Sequence, residues 1–353
     1  MSISTKTAGI WKNLFEYVSQ QNHKCCTVKN LSHDQEKEIL VVNICEPYII
    51  NDFSNMFQSQ NKIINAVYLE PNRRLFLALI PKNSKSFVNL FCCNMTMENV
   101  HAKFSDYGLA FEGCFNIEPG TMFPSFYQGY DYSNITSKLM TALTKNSNLS
   151  GLDILTITSP VTTSKPAFLV IDNHSTITIV DAAGLESYKP KGVNVQYVEG
   201  KRLFNNGKPF VDINHIKKVK IKNDNGVESL VDGLNVSIDY NTLQIKVNDM
   251  FYNFSDIGKK INFVNDEFFD MDNGLLVLGI DNHSNTFIVY HKHIDFYNML
   301  LLLKLFDTRD AILLCNSNSA NIIWKEKGLN MYNKTDFIGN PKKILSNIIT
   351  FAG

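Results

Sequence analysis

The chain has no excess of either charge, because Lys and Arg together number 34 and Asp and Glu together also number 34. A net charge of zero provides no basic field that could neutralise a nucleic-acid backbone or a membrane surface. Long hydrophobic runs are absent as well. The longest apolar stretch, Leu75 to Ile80, is far shorter than the roughly 20 residues that cross a bilayer. The sequence therefore predicts no nucleic-acid partner and no membrane span.

Cysteine and histidine are too few and too scattered to indicate a metal site. The seven cysteines include two adjacent pairs but no C-x-x-C spacing, and the eight histidines do not cluster. We therefore predict no metal, no cofactor and no secreted disulfide framework. The first residues also lack the apolar core of an export signal. The expected location is the cytoplasm of the producing cell, or a virion, since abundant Asn, Lys and Ile are typical of AT-rich phage and viral genomes.

Hydrophobic periodicity predicts a chain of many short strands and a few helices. Apolar residues at helical spacing predict an N-terminal helix over 5–21, so residues 1–45 are interpreted as a helix and extension and 46–353 as one domain. Further helices are predicted over 94–107, 133–143, 295–306 and 341–347. Strand-like runs lie between them. The predicted fold class is α+β, with a mixed, largely antiparallel sheet and flanking helices.

One pentapeptide, Ile-Asp-Asn-His-Ser, occurs twice, at 171–175 and at 280–284, each time between two apolar runs. The repeat predicts two hairpins with the same turn chemistry. Its histidines, His174 and His283, are interpreted as solvated turn residues rather than ligands or bases. A run of lysines over 217–222 alternates with Val219 and Ile221, which favours a solvated edge strand over a binding patch.

Four segments follow one another in an order that resembles the phosphodiester glycosidase family, whose namesake removes N-acetylglucosamine from a phosphodiester-linked sugar. Residues 109–116 lie where that family has an Asn-Gly-Gly-Phe-Phe turn. Residues 203–208 resemble its Leu-x-x-Asp/Asn-Gly-Lys element, and 275–290 its Arg-Thr-Ala-Ile-Gly hairpin. Residues 310–320 match its Asp-Ala-x-x-Leu-Asp-Gly-Gly-Gly-Ser-Ser loop. The resemblance covers roughly residues 66 to 353 and implies that family's fold.

The residues that the family uses at its site are replaced in this chain. Glu112 stands for the Asn of the first turn, Leu275 for the Arg of the hairpin and Cys315 for the Asp of the last loop. A leucine cannot bind a phosphate as a guanidinium does. A buried thiol cannot replace a carboxylate in glycosidic cleavage. Asn-Ser-Asn in place of three glycines blocks the close approach of backbone N–H groups to a ligand.

The resemblance nevertheless places a set of candidate site residues. Glu112 is the candidate for residual acid chemistry, although a hydrogen-bonded structural carboxylate explains it as well. Asp310 matches a structural position of the family. The candidates for lining a pocket are Gly113, Phe123, Tyr127, Tyr130, Cys315, Asn316, Ser317, Asn318 and Ser319. The aromatic members could stack on a sugar or pack within their own loop.

Two functions follow. The first is a non-catalytic structural or interaction protein, a pseudoenzyme that serves as a phage or other viral virion or assembly component, with protein partners or self-assembly and a glycan as a further ligand. The second is a divergent phosphodiester glycosidase that cleaves a sugar-phosphate diester through Glu112. Because fold does not determine function and three site residues are lost together, we favour the first.

Overall fold

The structure, a computed structural model, describes parts of the chain. These are residues 11, 26–30, 40–44, 75–82, 84, 87–96, 109–112, 166–172, 175–187, 195–210, 218–232, 236–239, 242, 244–253, 256, 260–263, 275–291, 296–316, 320–325, 335–338 and 344–352.

The larger of two main sheets has ten strands, all joined in antiparallel pairs. Their order is β1-β2-β3-β17-β16-β18-β8-β6-β7, and β9 pairs with β8. The bounds are β1 (Cys26–Asn30), β2 (Leu40–Ile44), β3 (Leu75–Ile80), β6 (Pro166–Asp172), β7 (Ile177–Val180), β8 (Val195–Asn205), β9 (Lys208–Pro209), β16 (Leu275–Asp281), β17 (Thr286–His291) and β18 (Thr308–Asn316). Strands β1 and β2, from the segment interpreted as an N-terminal extension, belong to this sheet.

A second sheet of five strands packs against the first. Its order is β20-β19-β5-β21-β4, with β4 (Phe87–Thr96), β5 (Leu109–Glu112), β19 (Ile322–Lys325), β20 (Thr335–Ile338) and β21 (Ile344–Ala352). One apolar cluster draws side chains from both sheets, including Phe76, Leu278 and Ile312 from the first and Phe111 and Trp324 from the second. Because strand residues alternate between faces, each sheet contributes every second apolar residue to this core.

Two three-stranded sheets are formed by the segment between β9 and β16. The first has the order β11-β10-β15 and the second β12-β13-β14. The bounds are β10 (Lys218–Lys222), β11 (Glu228–Asp232), β12 (Val236–Asp239), β13 (Gln244–Val247), β14 (Met250–Asn253) and β15 (Ile261–Phe263). In β10, Val219 is buried and Lys220 and Lys222 are exposed, as the alternation predicts. The predicted edge position is wrong, because β10 pairs with a strand on each side.

The outer face of the large sheet is covered by two helices and one tryptophan. Helix α1 (Ala182–Glu186) is capped by Asp181, which accepts a hydrogen bond from the Gly184 backbone N–H at 2.7 Å, and it buries Leu185 beside β6. Helix α2 (Phe296–Leu305) confirms the helix predicted over 295–306. Trp11 stacks on Phe306 with ring centroids 4.7 Å apart.

The predicted α+β class is wrong, because the described residues are mostly strand, in large antiparallel sheets, with two short helices among them. The helix predicted over 341–347 instead contributes its last four residues to β21, which pairs with β4. Residues 94–96, the start of the helix predicted over 94–107, belong to β4. Short apolar segments fit helical and strand periods equally well. Here residues 344–347 form a strand because β4 offers them a pairing partner. The helices predicted over 5–21 and 133–143 fall outside the described residues, apart from helical Trp11.

Candidate functional site

The two ends of the predicted active-site loop lie in different sheets. Cys315 and Asn316 end β18 in the large sheet, where their Cα partners are Leu276 and Leu275. Buried Ala320 then leads into β19 of the second sheet, where Ile322 is the partner of Phe111. Glu112 follows Phe111 and therefore lies where the loop enters β19. The fold thus brings the backbones of Glu112 and Cys315 to opposite ends of one connection.

The described residues around this connection include both apolar and polar buried side chains. Leu275, which stands where the family has its arginine, is completely buried, as is Leu276 beside Cys315. His291, the Cα partner of Leu275, and Asn321, which follows Ala320, are buried polar residues in the same surroundings. A buried leucine at position 275 cannot bind a phosphate as a guanidinium does. The remaining candidates fall outside the described residues: Gly113, Phe123, Tyr127, Tyr130, Ser317, Asn318 and Ser319.

The described part of the chain contains a cleft of about 680 Å³ at the opposite end of the β16–β18 pair. Ile280, the partner of Asp310, and Arg309 line it, whereas Leu275 and Asn316 mark the other end of the pair. Five residues of strand separate the two positions, which corresponds to about 17 Å. The residues that line the cleft are Ile80, Pro81, Lys82, Ser84, Val88, Ser175, Thr176, Ile177, Thr178, Ile280, Ser284, Thr286, Arg309 and Phe351.

Both copies of the pentapeptide reach this cleft, and both form the same turn. In the first, the Ser175 N–H donates to the Asp172 carbonyl, and the Thr176 N–H donates to Asp172 Oδ1 at 2.8 Å. In the second, Ser284 and Asn285 make the same two bonds to Asp281. Each turn ends on a serine with positive φ, 61° and 66°. Both turns are three-residue hairpin loops whose last residue has a left-handed conformation, a common hairpin type. The prediction of two similar hairpins is therefore confirmed.

The second turn is also the centre of a buried hydrogen-bond network. Asp281 is only 1% exposed. Its Oδ2 accepts hydrogen bonds from Trp11 Nε1 at 2.9 Å and from Asn285 Nδ2 at 2.7 Å. Asn285 Oδ1 in turn accepts the Lys82 backbone N–H at 3.0 Å. This network joins Trp11, the hairpin and the end of β3. His283 is exposed in the turn, as predicted, while His174 lies outside the described residues.

Two cations and several hydroxyl groups line the cleft. Lys82 is exposed directly after β3. Arg309 is held by Asp310 Oδ2, which accepts from its Nε at 2.9 Å, and by Ser284 Oγ, 3.3 Å from its Nη1. Ile280 and Phe351 are 3% and 0% exposed, while Ile177 is partly exposed, so a ligand would meet apolar groups as well as the polar ones. Sequence reasoning missed Lys82 and Arg309. The only signal was the repeated turn, which does not show what lies beside it.

The described residues also bear on metal binding and membrane insertion. No group of three or more His, Cys, Asp or Glu side chains lies close enough together there to hold a metal ion. Within the same residues, neither helix has the length and apolar character needed to cross a bilayer.

No family model matches the chain, and no curated protein matches its sequence. Among solved structures, it is similar to the catalytic domain of zebrafish N-acetylglucosamine-1-phosphodiester alpha-N-acetylglucosaminidase, auto-inhibited by its pro-peptide, with 11% identity, a TM-score of 0.46 and coverage of 96% of this chain and 92% of that one. A hypothetical protein from Synechocystis has 8% identity, a TM-score of 0.37 and coverage of 93% and 64%. A putative exported protein from Burkholderia pseudomallei has 9% identity, a TM-score of 0.32 and coverage of 97% and 88%. The relationship is one of distant fold similarity, and it carries no argument about activity.

Proposed function

We propose that this chain is a non-catalytic structural or interaction protein that self-associates through the two small sheets of residues 218–263. The proposal rests on the location of the exposed large apolar side chains. Among the described residues, four such side chains are more than half exposed: Val227 at 62%, Leu230 at 56%, Met250 at 51% and Phe251 at 59%. All four belong to this segment, whereas most described apolar side chains of the two large sheets are buried.

The exposed residues lie on or beside strands at the edges of their sheets. Leu230 belongs to β11 and Met250 and Phe251 to β14, and each strand has one partner among the described strands. An edge strand with exposed apolar side chains can pair with a strand of another chain. A second copy is the occupant to which we commit, because a chain with no net charge does not repel its own copies.

The described carboxyl groups near the strand ends support a role without catalysis. Glycosidic cleavage usually takes two carboxyl groups that face a substrate. Asp281 instead accepts four hydrogen bonds from its own turn and Trp11, Asp310 holds Arg309 and the Asn206 N–H, and Asp181 caps α1. These acids stabilise turns and a helix end. A virion or assembly role, which is expected from composition alone, is the setting that we propose for the self-association.

The test is the molar mass in solution, measured by size-exclusion chromatography with light scattering over a range of concentrations. We expect the mass of the wild-type chain to rise with concentration and that of Phe251→Ser to stay at the monomer value of 40.1 kDa. Lys208→Ser, an exposed substitution on β9, is the control and should behave as wild type. A wild-type chain that remains monomeric throughout would overturn self-association.

Absence of catalysis has its own test, which is hydrolysis of a sugar-1-phosphodiester model substrate at high protein concentration. We expect no turnover above the buffer rate. Turnover that is lost in Glu112→Gln would contradict the proposal and establish the glycosidase alternative, since Glu112 is the acid that the resemblance places at the site.

A further inference from the structure

The cleft between the two pentapeptide turns has a composition suited to one class of ligand. Six of its described lining residues carry hydroxyl groups, namely Ser84, Ser175, Thr176, Thr178, Ser284 and Thr286. Lys82 and Arg309 add two cations. No carboxyl group is found among its described lining residues, although Asp310 is paired with Arg309, so hydroxyl groups and positive charge predominate at the surface. Such a surface disfavours a cation and favours an anion.

Both cations are attached to elements that the hydrogen-bond network holds in place. The backbone of Lys82 is fixed by Asn285, whose amide is bound to buried Asp281. The guanidinium of Arg309 is oriented by Asp310 on its Nε side, and its Nη1 lies 3.3 Å from the Ser284 hydroxyl. A planar guanidinium held in this way can present its remaining N–H groups to two oxygens of one tetrahedral anion.

We infer that the cleft binds a phosphate or sulfate ester, with Arg309 and Lys82 as its cationic groups and the serine and threonine hydroxyls as further donors. Apolar residues such as Ile80, Val88 and Ile177 also line the cleft, so the carbon part of an ester has a surface to contact beside the polar groups. A polyanion is disfavoured, because two cations on a chain of zero net charge give no extended basic track. The inference concerns a different surface from the self-association of residues 218–263 and does not depend on it.

The experiment is isothermal titration calorimetry of the full chain with inorganic phosphate, inorganic sulfate, glucose 6-phosphate and unmodified glucose. We expect the phosphate- or sulfate-bearing probes to bind, with an affinity that falls as salt is added, and glucose not to bind. A preference between inorganic phosphate and sulfate identifies the anion. Stronger binding of glucose 6-phosphate than of inorganic phosphate identifies an ester as the ligand. Equal binding of glucose, or no binding of any probe, overturns the inference.

Variants connect the binding to this cleft. Lys82→Ala and Arg309→Gln should each weaken binding about tenfold, the effect of losing one charge-assisted hydrogen bond. Because Arg309 also contacts Asp310, Arg309→Gln could fold poorly. Lys82 and Thr176 are exposed, so Lys82→Ala and Thr176→Ala test the site without that complication. Lys222→Ala removes an exposed cation that does not line the cleft and should change nothing. Phe251→Ser should abolish self-association and leave anion binding intact. Equal losses in Lys82→Ala and Lys222→Ala would show a general charge effect and overturn the site.

Discussion

The two hairpins that share Ile-Asp-Asn-His-Ser have the same turn in different surroundings. In both, the aspartate accepts the backbone N–H four residues later, and the serine takes a left-handed conformation. Asp172 is partly exposed, whereas Asp281 is buried and also accepts from Trp11. The next residue differs as well, because Thr176 is exposed and Asn285 is buried and bound to Lys82. A local sequence can therefore fix a turn while distant residues decide what its side chains do.

The largest difference between the hairpins should appear when each aspartate is removed. Asp281→Ala leaves the buried donors of Trp11 and Asn285 without their acceptor, so we expect a loss of about 3–5 kcal/mol in the free energy of unfolding. Asp172→Ala loses a turn bond at a partly exposed position and should cost about 1 kcal/mol. Urea denaturation of both variants measures the difference. Equal losses would show that the Trp11 network adds no stability.

The strand residues before the two turns provide the next comparison. Val170 precedes the first copy of the pentapeptide, and Gly279 precedes the second. A Cβ atom on Gly279 would lie 2.2 Å from Cζ of its cross-strand partner Phe287, whose ring packs against Trp11. Gly279→Ala should therefore cost about 1–3 kcal/mol through overpacking. Val170→Ala, which opens space instead, is the comparison variant. Thermal unfolding of Gly279→Ala at the wild-type midpoint would contradict the packing argument.

A double-mutant cycle isolates the contact between Trp11 and Asp281. Trp11→Phe keeps an aromatic ring but removes Nε1, and Asp281→Asn alters its acceptor. Because the two groups touch, we expect a coupling energy of about 1 kcal/mol. The same cycle with Asp172→Asn in place of Asp281→Asn should give nearly additive effects. Coupling of similar size in both cycles would mean that the variants disturb the whole fold rather than one hydrogen bond.

The smallest effect, and the one most alike in both hairpins, should come from the left-handed serines. Ser175→Gly removes the Cβ penalty of a positive φ and should stabilise the protein by about 0.5 kcal/mol. Ser284→Gly should stabilise it slightly less, because it also loses the contact with Arg309. The midpoints of urea denaturation measure both. A clear destabilisation of Ser175→Gly would show that its hydroxyl group matters more than its backbone conformation.

The parts of the fold that could be predicted are those set by neighbouring residues. The strands around residues 75–80, 166–172 and 275–281, both pentapeptide turns and helix α2 follow from local apolar patterns and turn residues. The helix predicted over 341–347 was wrong because a strand partner, β4, decides the conformation of that segment. The central position of β10 was missed for the same reason, since alternation gives the exposed face of a strand but not its neighbours.

The candidate site shows a similar division. The resemblance named Glu112 and Cys315, and the strand order brings their backbones to the two ends of one connection. The cleft with Lys82 and Arg309 could not be predicted, because these residues are 227 positions apart and belong to no shared motif. Only the pairing of β3 with β17, and of β16 with β18, brings them to one surface.

The sequence by itself determined that this protein has no charge excess, no long apolar span and two copies of one turn, because these depend on composition or on residues adjacent in the chain. The tertiary structure alone decided that the fold is mostly β, that Asp281 is buried against Trp11, and that exposed apolar side chains concentrate in residues 218–263. The physical reason is that strand pairing and burial depend on contacts between residues far apart in sequence, which no local pattern encodes.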